Sequence, residues 1–115
     1  YNLLRLAQLT DNVKYREITE DLIENHSKKM ANNPVNYIFL LLSYHYLENP
    51  FKEIKIIGNK NDDKALKILE EIRNNYHPAI LIKQESSKGK TKFALCKDFS
   101  CNRPTENINE IIRKF

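Results

Sequence analysis

The feature that most constrains the fold is an apolar run over residues 37–47, bounded by Pro34 on one side and by Asn49-Pro50 on the other. It is much shorter than the roughly 20 apolar residues that a bilayer-spanning helix needs. The pattern predicts a helix over 35–47 that is apolar nearly all round, which is typical of a helix buried on several sides. The neighbouring sequence holds too little helix to cover it, so we expect this helix to pack against further protein.

Two helices are predicted before this run. The first covers 2–10, where leucines and an alanine recur at helical spacing. Thr10, Asp11 and Asn12 then form a turn, because these side chains cap helix ends and favour turns. The second helix covers 13–31, with one apolar face and one acidic face, and it ends before Pro34 because proline cannot continue a helix.

The pattern changes to a β pattern after Pro50. A β-branched run at 52–58 predicts a strand, a leucine- and isoleucine-rich segment at 63–76 predicts a helix, and a second apolar run at 79–82 predicts another strand. The long helical connection favours parallel pairing of these two strands. A third strand is expected at 91–96, paired antiparallel with the second as a hairpin.

A last helix is predicted over 107–114, after an irregular stretch. The fold class predicted from the whole pattern is α+β or α/β. Three N-terminal helices occupy a first domain, residues 1–50, and a small three-stranded βαββα unit with a mixed sheet occupies a second, residues 51–115.

Composition excludes some functional classes. The chain of 115 residues carries a net charge of +4, but its basic and acidic residues are interspersed almost throughout. Clustered charge is what nucleic-acid binding requires, so no nucleic-acid partner is predicted. Lys88, Lys90 and Lys92 form the one dense basic run, which we interpret as a solvated hairpin tip rather than a phosphate site. No membrane partner and no cofactor are predicted.

Cys96 and Cys101 are the most suggestive candidate site residues. Two thiols five positions apart can be structural thiols, a disulfide, or a redox or metal pair, and the sequence favours structural thiols in a cytoplasmic protein. A zinc site would need two further ligands, and neither a second Cys pair nor a His-x-x-x-His motif is present. No metal site and no catalytic residue are therefore assigned.

The other groups of residues that could form a functional site have simple structural interpretations. The strand-turn-helix around Gly58 resembles the place where α/β folds bind phosphate, but it lacks a glycine-rich motif and carries Asp62 and Asp63 where an anion would sit. It remains the alternative hypothesis of an anion- or nucleotide-binding module. His45 is interpreted as a core or interface histidine. The acidic residues of the second helix are interpreted as a solvated face rather than paired catalytic acids.

Several segments resemble one known family. In the C-terminal half, the residues that carry the resemblance are 52–58, Phe93, Cys96, Phe99, Cys101, Pro104 and Thr105. In the N-terminal half they are residues 2–7, 9–10 and 15–17. Together they resemble the C-terminal region of the thioredoxin-domain-containing family that includes the spermatogenesis-associated protein and the YyaL-like bacterial proteins.

This resemblance implies a larger protein. Proteins of the family that this chain resembles have three parts. These are a thioredoxin-like domain, a toroid of helical hairpins similar to six-hairpin glycosidases and sugar epimerases, and a small tail. The expected role of this chain is then a non-catalytic structural or docking segment, linked to carbohydrate or redox chemistry elsewhere in the protein. Its expected partners are the toroid and the thioredoxin-like domain, with self-association through exposed apolar helices as a further expectation. Whether the whole protein is an enzyme is left open.

Overall fold

A computed structural model describes residues 1–114, which form two compact units. The first unit is Tyr1–Phe51, and the second begins at Lys52. The sequence placed the boundary one residue earlier, between Pro50 and Phe51. Each unit is described by itself below.

The first unit consists of helices, as predicted for this part of the chain. Its elements are α1 (Asn2–Thr10), α2 (Lys14–Asn32), a short 3₁₀ helix (Pro34–Tyr37) and α3 (Ile38–Glu48). Asp11 ends α1 in the left-handed conformation with φ 55°, which a short polar side chain tolerates. The 3₁₀ helix begins at Pro34, where the lost N–H interrupts the helical pattern between α2 and α3.

Aromatic packing forms one end of the first unit. The rings of Tyr46 and Phe51 stack with centroids 4.1 Å apart, and both residues are buried. Tyr1 packs against the pair, with its ring centroid 5.5 Å from that of Tyr46. Leu4 and Ala7 of α1 are buried as well. This small core covers only part of the apolar surface that the sequence provides.

Helix α3 is buried along a narrow stripe. Its buried residues are Ser43 and Tyr46, whereas Ile38 and Phe39 are 59% and 79% exposed. The Ser43 hydroxyl donates a hydrogen bond to the carbonyl oxygen of Phe39, 2.9 Å away, so this small polar residue is tolerated inside. Much of the helix that looked most buried from its sequence therefore faces outward.

The second unit is α+β with a mixed four-stranded sheet. Its elements are β1 (Lys52–Ile57), α4 (Asp63–Asn74), β2 (Ile80–Glu85), β3 (Lys92–Lys97), β4 (Ser100–Cys101) and α5 (Ile108–Ile112). The strand order is β2-β1-β3-β4. β1 pairs parallel with β2, as predicted, and antiparallel with β3. The prediction of three strands was incomplete, because it missed the two-residue strand β4.

The predicted hairpin between the second and third strands is wrong. β3 pairs with β1, so β1 lies at the centre of the sheet with one neighbour on each side. The physical reason is burial: Ile54 and Ile56 of β1 are almost completely buried, which a central strand requires. β2 ends in Lys83, Gln84 and Glu85, a polar run that suits an edge strand.

The core of the second unit lies between the sheet and helices α4 and α5. Its buried residues are Ile54, Ile56, Ala65, Ile68, Phe93, Ile108 and Ile111. On α4 the buried stripe runs through Ala65 and Ile68, with Leu69 and Ile72 beside it. Leu66 of the same helix is 51% exposed and lies outside this stripe.

In the part of the chain that the structure describes, no helix is both long enough and apolar enough to cross a membrane.

Candidate functional site

The candidate site is a tight hairpin that joins β3 to β4. Lys97 and Ser100 pair across it, and Asp98 and Phe99 form the two-residue loop. Both loop residues have positive φ, 51° and 61°, as a type I′ turn requires. Asparagine and glycine are the usual residues of such a turn, so neither a sequence motif nor glycine content predicted it.

Cys96 and Cys101 face each other one step beyond the turn and are joined as a disulfide. Because Lys97 and Ser100 close the turn, the cysteines occupy a non-hydrogen-bonded position, where the strands approach most closely. Their Cα atoms are 3.9 Å apart. The sequence favoured unpaired structural thiols over this bridge. The turn brings the two thiols together, and a spacing of five residues does not reveal the turn.

The two ends of the disulfide differ in their exposure. Cys96 is 1% exposed, whereas Cys101 is exposed in the two-residue edge strand β4. The bridge therefore has one sulfur atom on a protected residue and the other on a residue open to solvent. Among residues 1–114, no group of three or more His, Cys, Asp or Glu side chains is arranged to hold a metal ion.

Hydrogen bonds beyond the disulfide hold the hairpin as well. Asn102 donates its backbone N–H to the carbonyl oxygen of Leu95 at 3.0 Å, and its side-chain Oδ1 accepts from the Leu95 N–H at 2.7 Å. Phe93 and Thr105 exchange two further backbone bonds, of 2.8 and 2.9 Å. The disulfide is thus one of several links between β3 and the segment that follows it.

A buried carboxyl group lies beside the disulfide in the sheet. Glu53 of β1 is directly opposite Cys96 of β3, and it is fully buried. Its Oε1 lies 3.8 Å from the Lys55 ammonium nitrogen. Because side chains alternate along a strand, Glu53 and Cys96 share the face of the sheet opposite to the one that carries Ile54 and Phe93.

The turn after β1 is occupied by the chain's own groups. The Asp62 side chain caps α4 by accepting a hydrogen bond of 2.8 Å from the Lys64 N–H. A carboxylate from the chain thus already satisfies an amide that an anion would use. Gly58 has φ 143°, and a Cβ at this position would lie 2.7 Å from Thr91 Oγ1. Close packing against Thr91 explains this glycine without a ligand.

The basic run lies in a different setting from the one predicted. Because β2 and β3 do not pair, residues 86–91 form a crossover loop and not a hairpin tip. Lys90 and Lys92 line a cleft of about 390 Å³, together with Arg103 from the segment after β4. The Lys90 Nζ lies 3.9 Å from the Glu106 Oε2. The sequence missed the contribution of Arg103, because only the fold brings residue 103 to this loop.

The remaining candidates lie apart on the surface. Glu20, Asp21 and Glu24 are exposed on α2, and Glu20 pairs with Arg16 at 2.9 Å. His45, interpreted from the sequence as a core or interface histidine, is exposed, which excludes the core position.

An apolar groove runs between α2 and α3. Its lining residues are Ile23, Ser27, Met30, Ala31, Pro34, Leu41 and Tyr44, and its volume is about 390 Å³. None of them carries a charge at neutral pH. A second apolar concavity of about 630 Å³ is formed by residues 35–40 at the start of α3. The first unit therefore presents two mainly apolar concavities, one between α2 and α3 and one at residues 35–40.

Comparison with protein-family models, with curated proteins and with solved structures found no match to this chain. The family resemblance, carried by segments in both halves of the chain, therefore stays a prediction.

Proposed function

We propose that this chain is a structural docking segment of a larger protein and binds through the apolar surface of α3. We define that surface by Val35, Ile38 and Phe39, together with the groove between α2 and α3. Its partner is an apolar helical surface, as in the helical hairpins that the sequence resemblance implies. The docking role is itself non-catalytic, and any carbohydrate chemistry of the larger protein belongs to its other parts.

The observation that carries this proposal is the reversed burial of α3. Val35, Ile38 and Phe39 are between 59% and 79% exposed, while Ser43 is buried. Fully burying a side chain of this size contributes about 1.5–3 kcal/mol, so covering all three would contribute roughly 5 kcal/mol. Exposed apolar surface of this extent is typical of an interaction site.

The chemistry of the surface favours an apolar partner, and we propose that this partner is a helix. From Ile38 to Leu47, α3 contains no Asp, Glu, Lys or Arg. A partner must therefore supply apolar side chains, since a charged group buried there would find no counter-charge on this helix. Helices pack in this way by placing the ridges of one surface into the grooves of another.

Sedimentation of the isolated chain tests the proposal. With its partner absent, the exposed surface is expected to cause self-association at micromolar concentration and to bind a hydrophobic dye. The double variant Ile38→Ser, Phe39→Ser is expected to be monomeric and to bind less dye. Tyr76→Ser is the matched control, because Tyr76 is 90% exposed in the second unit. A wild-type chain that stays monomeric and binds no dye would contradict the proposal.

A binding experiment separates docking from simple self-association. The chain would be titrated with an amphipathic helical hairpin taken from the protein that contains it. We expect the hairpin to compete with self-association, and we expect the double variant to lose binding. Self-association that the hairpin does not affect would indicate that the surface joins two copies of this chain instead.

A further inference from the structure

We propose that the Cys96–Cys101 disulfide is a thiol–disulfide exchange site, that its substrate is a dithiol, and that the attack occurs at the sulfur atom of Cys101. This activity is separate from docking, because it uses the β3–β4 hairpin and not the α3 surface.

Unequal exposure decides which sulfur reacts. A thiolate must reach the sulfur atom that it attacks, and Cys96 is 1% exposed while Cys101 is exposed. Access therefore directs the incoming thiolate to Cys101, although Cys96, as a buried sulfur, is the slower leaving group.

The reaction balances in two steps. One thiolate of the dithiol attacks the Cys101 Sγ, the bond between the cysteines breaks, and its electron pair goes to the Cys96 Sγ, which takes up a proton. The second thiol of the substrate loses its proton and attacks the mixed disulfide, and the Cys101 Sγ leaves with the electron pair and is protonated. The dithiol is oxidised to a disulfide, and the two cysteines are reduced to thiols.

The surrounding hairpin allows the bridge to open without loss of the fold. Asn102 and Thr105 keep four hydrogen bonds to β3 that do not depend on the disulfide. Ile108 and Ile111 of the following helix remain in the core. A cross-link that spans so short a loop adds less constraint than one that closes a long loop. Reduction can therefore be measured on the folded protein.

Mapping a glutathione adduct tests the site of attack. The native oxidised chain would be treated with reduced glutathione, quenched with acid and digested with trypsin. Cleavage after Lys97 separates Cys96 from Cys101, since Lys97 lies between them. We expect the adduct on the Cys101 peptide to exceed that on the Cys96 peptide by at least about tenfold. Equal labelling, or labelling of Cys96, would overturn the proposal.

Two variants provide an independent measurement. In Cys96→Ser the remaining Cys101 thiol should react with Ellman's reagent in the native state. In Cys101→Ser the Cys96 thiol should react on the order of 100-fold more slowly until denaturant is added. Similar rates in the two native variants would remove the basis for attack at Cys101.

Reduction of the wild-type chain by dithiothreitol completes the test. We expect both thiols to appear without denaturant, and we expect the reduced chain to keep its far-UV circular dichroism and a cooperative unfolding transition. A disulfide that resists reduction until the chain is unfolded, or a reduced chain that loses its sheet signal, would show a purely structural bridge and overturn the proposal.

Discussion

At the scale of single residues, the two glycines of the chain differ in whether their position requires glycine, and the sequence alone does not show this difference. Gly58 and Gly89 are the only glycines in the chain. Gly58 has φ 143° and lies against Thr91, whereas a Cβ at Gly89 would meet no atom within 4 Å. The need for glycine is therefore a property of the tertiary contact at residue 58.

Replacing Gly58 with alanine should destabilise the second unit. The new Cβ would lie 2.7 Å from Thr91 Oγ1 and 2.9 Å from Thr91 Cα, and φ would remain in a region that alanine rarely adopts. We expect a loss of about 2 kcal/mol or more in the free energy of unfolding, measured by urea denaturation. Gly89→Ala is the matched control and should change stability by less than about 0.5 kcal/mol. Equal effects at both positions would contradict this interpretation.

At Gly58 a glycine occupies a position that requires one, whereas at Phe99 a bulky residue occupies a left-handed backbone position. Its φ is 61°, a conformation that costs a non-glycine residue about 1–3 kcal/mol. Phe99→Gly should therefore increase the free energy of unfolding by about 1 kcal/mol, which is measured as a higher urea midpoint. Phe99→Ala is the control, since it removes the ring but keeps the strained Cβ, and it should not stabilise. If both variants destabilise equally, packing of the Phe99 ring outweighs the backbone strain.

At the scale of elements, one side chain extends the sheet where regular pairing ends. β4 is two residues long, and Asn102 follows it. The Asn102 Oδ1 accepts the N–H of Leu95 and so takes the place of a backbone carbonyl in the ladder. This contact links the disulfide hairpin to the segment that leads into α5.

Asn102→Ala should weaken that link. The Leu95 N–H would lose its acceptor, and an unsatisfied, partly buried donor costs about 1–3 kcal/mol. Asn102→Asp retains an acceptor oxygen and should lose less stability. Amide hydrogen exchange at Leu95 provides the direct measurement, with faster exchange expected in the alanine variant alone. Unchanged exchange at Leu95 in Asn102→Ala would show that water replaces the side chain at no cost.

At the scale of the whole molecule, the two units differ in how completely they bury their apolar residues. The second unit has a continuous core that joins β1, β3, α4 and α5. Most of the large apolar side chains that remain exposed belong to the first unit, and they are concentrated on α2, the 3₁₀ helix and α3. Helices with little tertiary coverage depend on propensity alone, which is marginal for short helices in water.

Hydrogen exchange across the chain should reveal this difference. We expect the amides of β1 and β3 to exchange most slowly and those of α3 to exchange at least about tenfold faster, because local stability follows burial. A partner that covers the α3 surface should slow exchange in α3 and leave β1 unchanged. Protection in α3 equal to that in β1 in the isolated chain would contradict this expectation.

Much of the secondary structure follows from the sequence, because its signals are local. Pro34 and the Asn49-Pro50 pair stop helices through their own backbone chemistry, and Ile54 and Ile56 favour a strand through their branched side chains. The long connection through α4 was sufficient to predict that β1 and β2 run parallel. The apolar character of α3 was also evident from composition alone.

The tertiary structure decided which segments of the chain meet. The central position of β1, the pairing of Cys96 with Cys101 and the approach of Arg103 to Lys90 all depend on which segments meet in space. No local pattern encodes these meetings, because they depend on which strands pair in the sheet. The sequence predicted that α3 is apolar. Only the fold showed that Ser43 is buried while Phe39 is exposed, because the direction of each side chain depends on what the helix packs against.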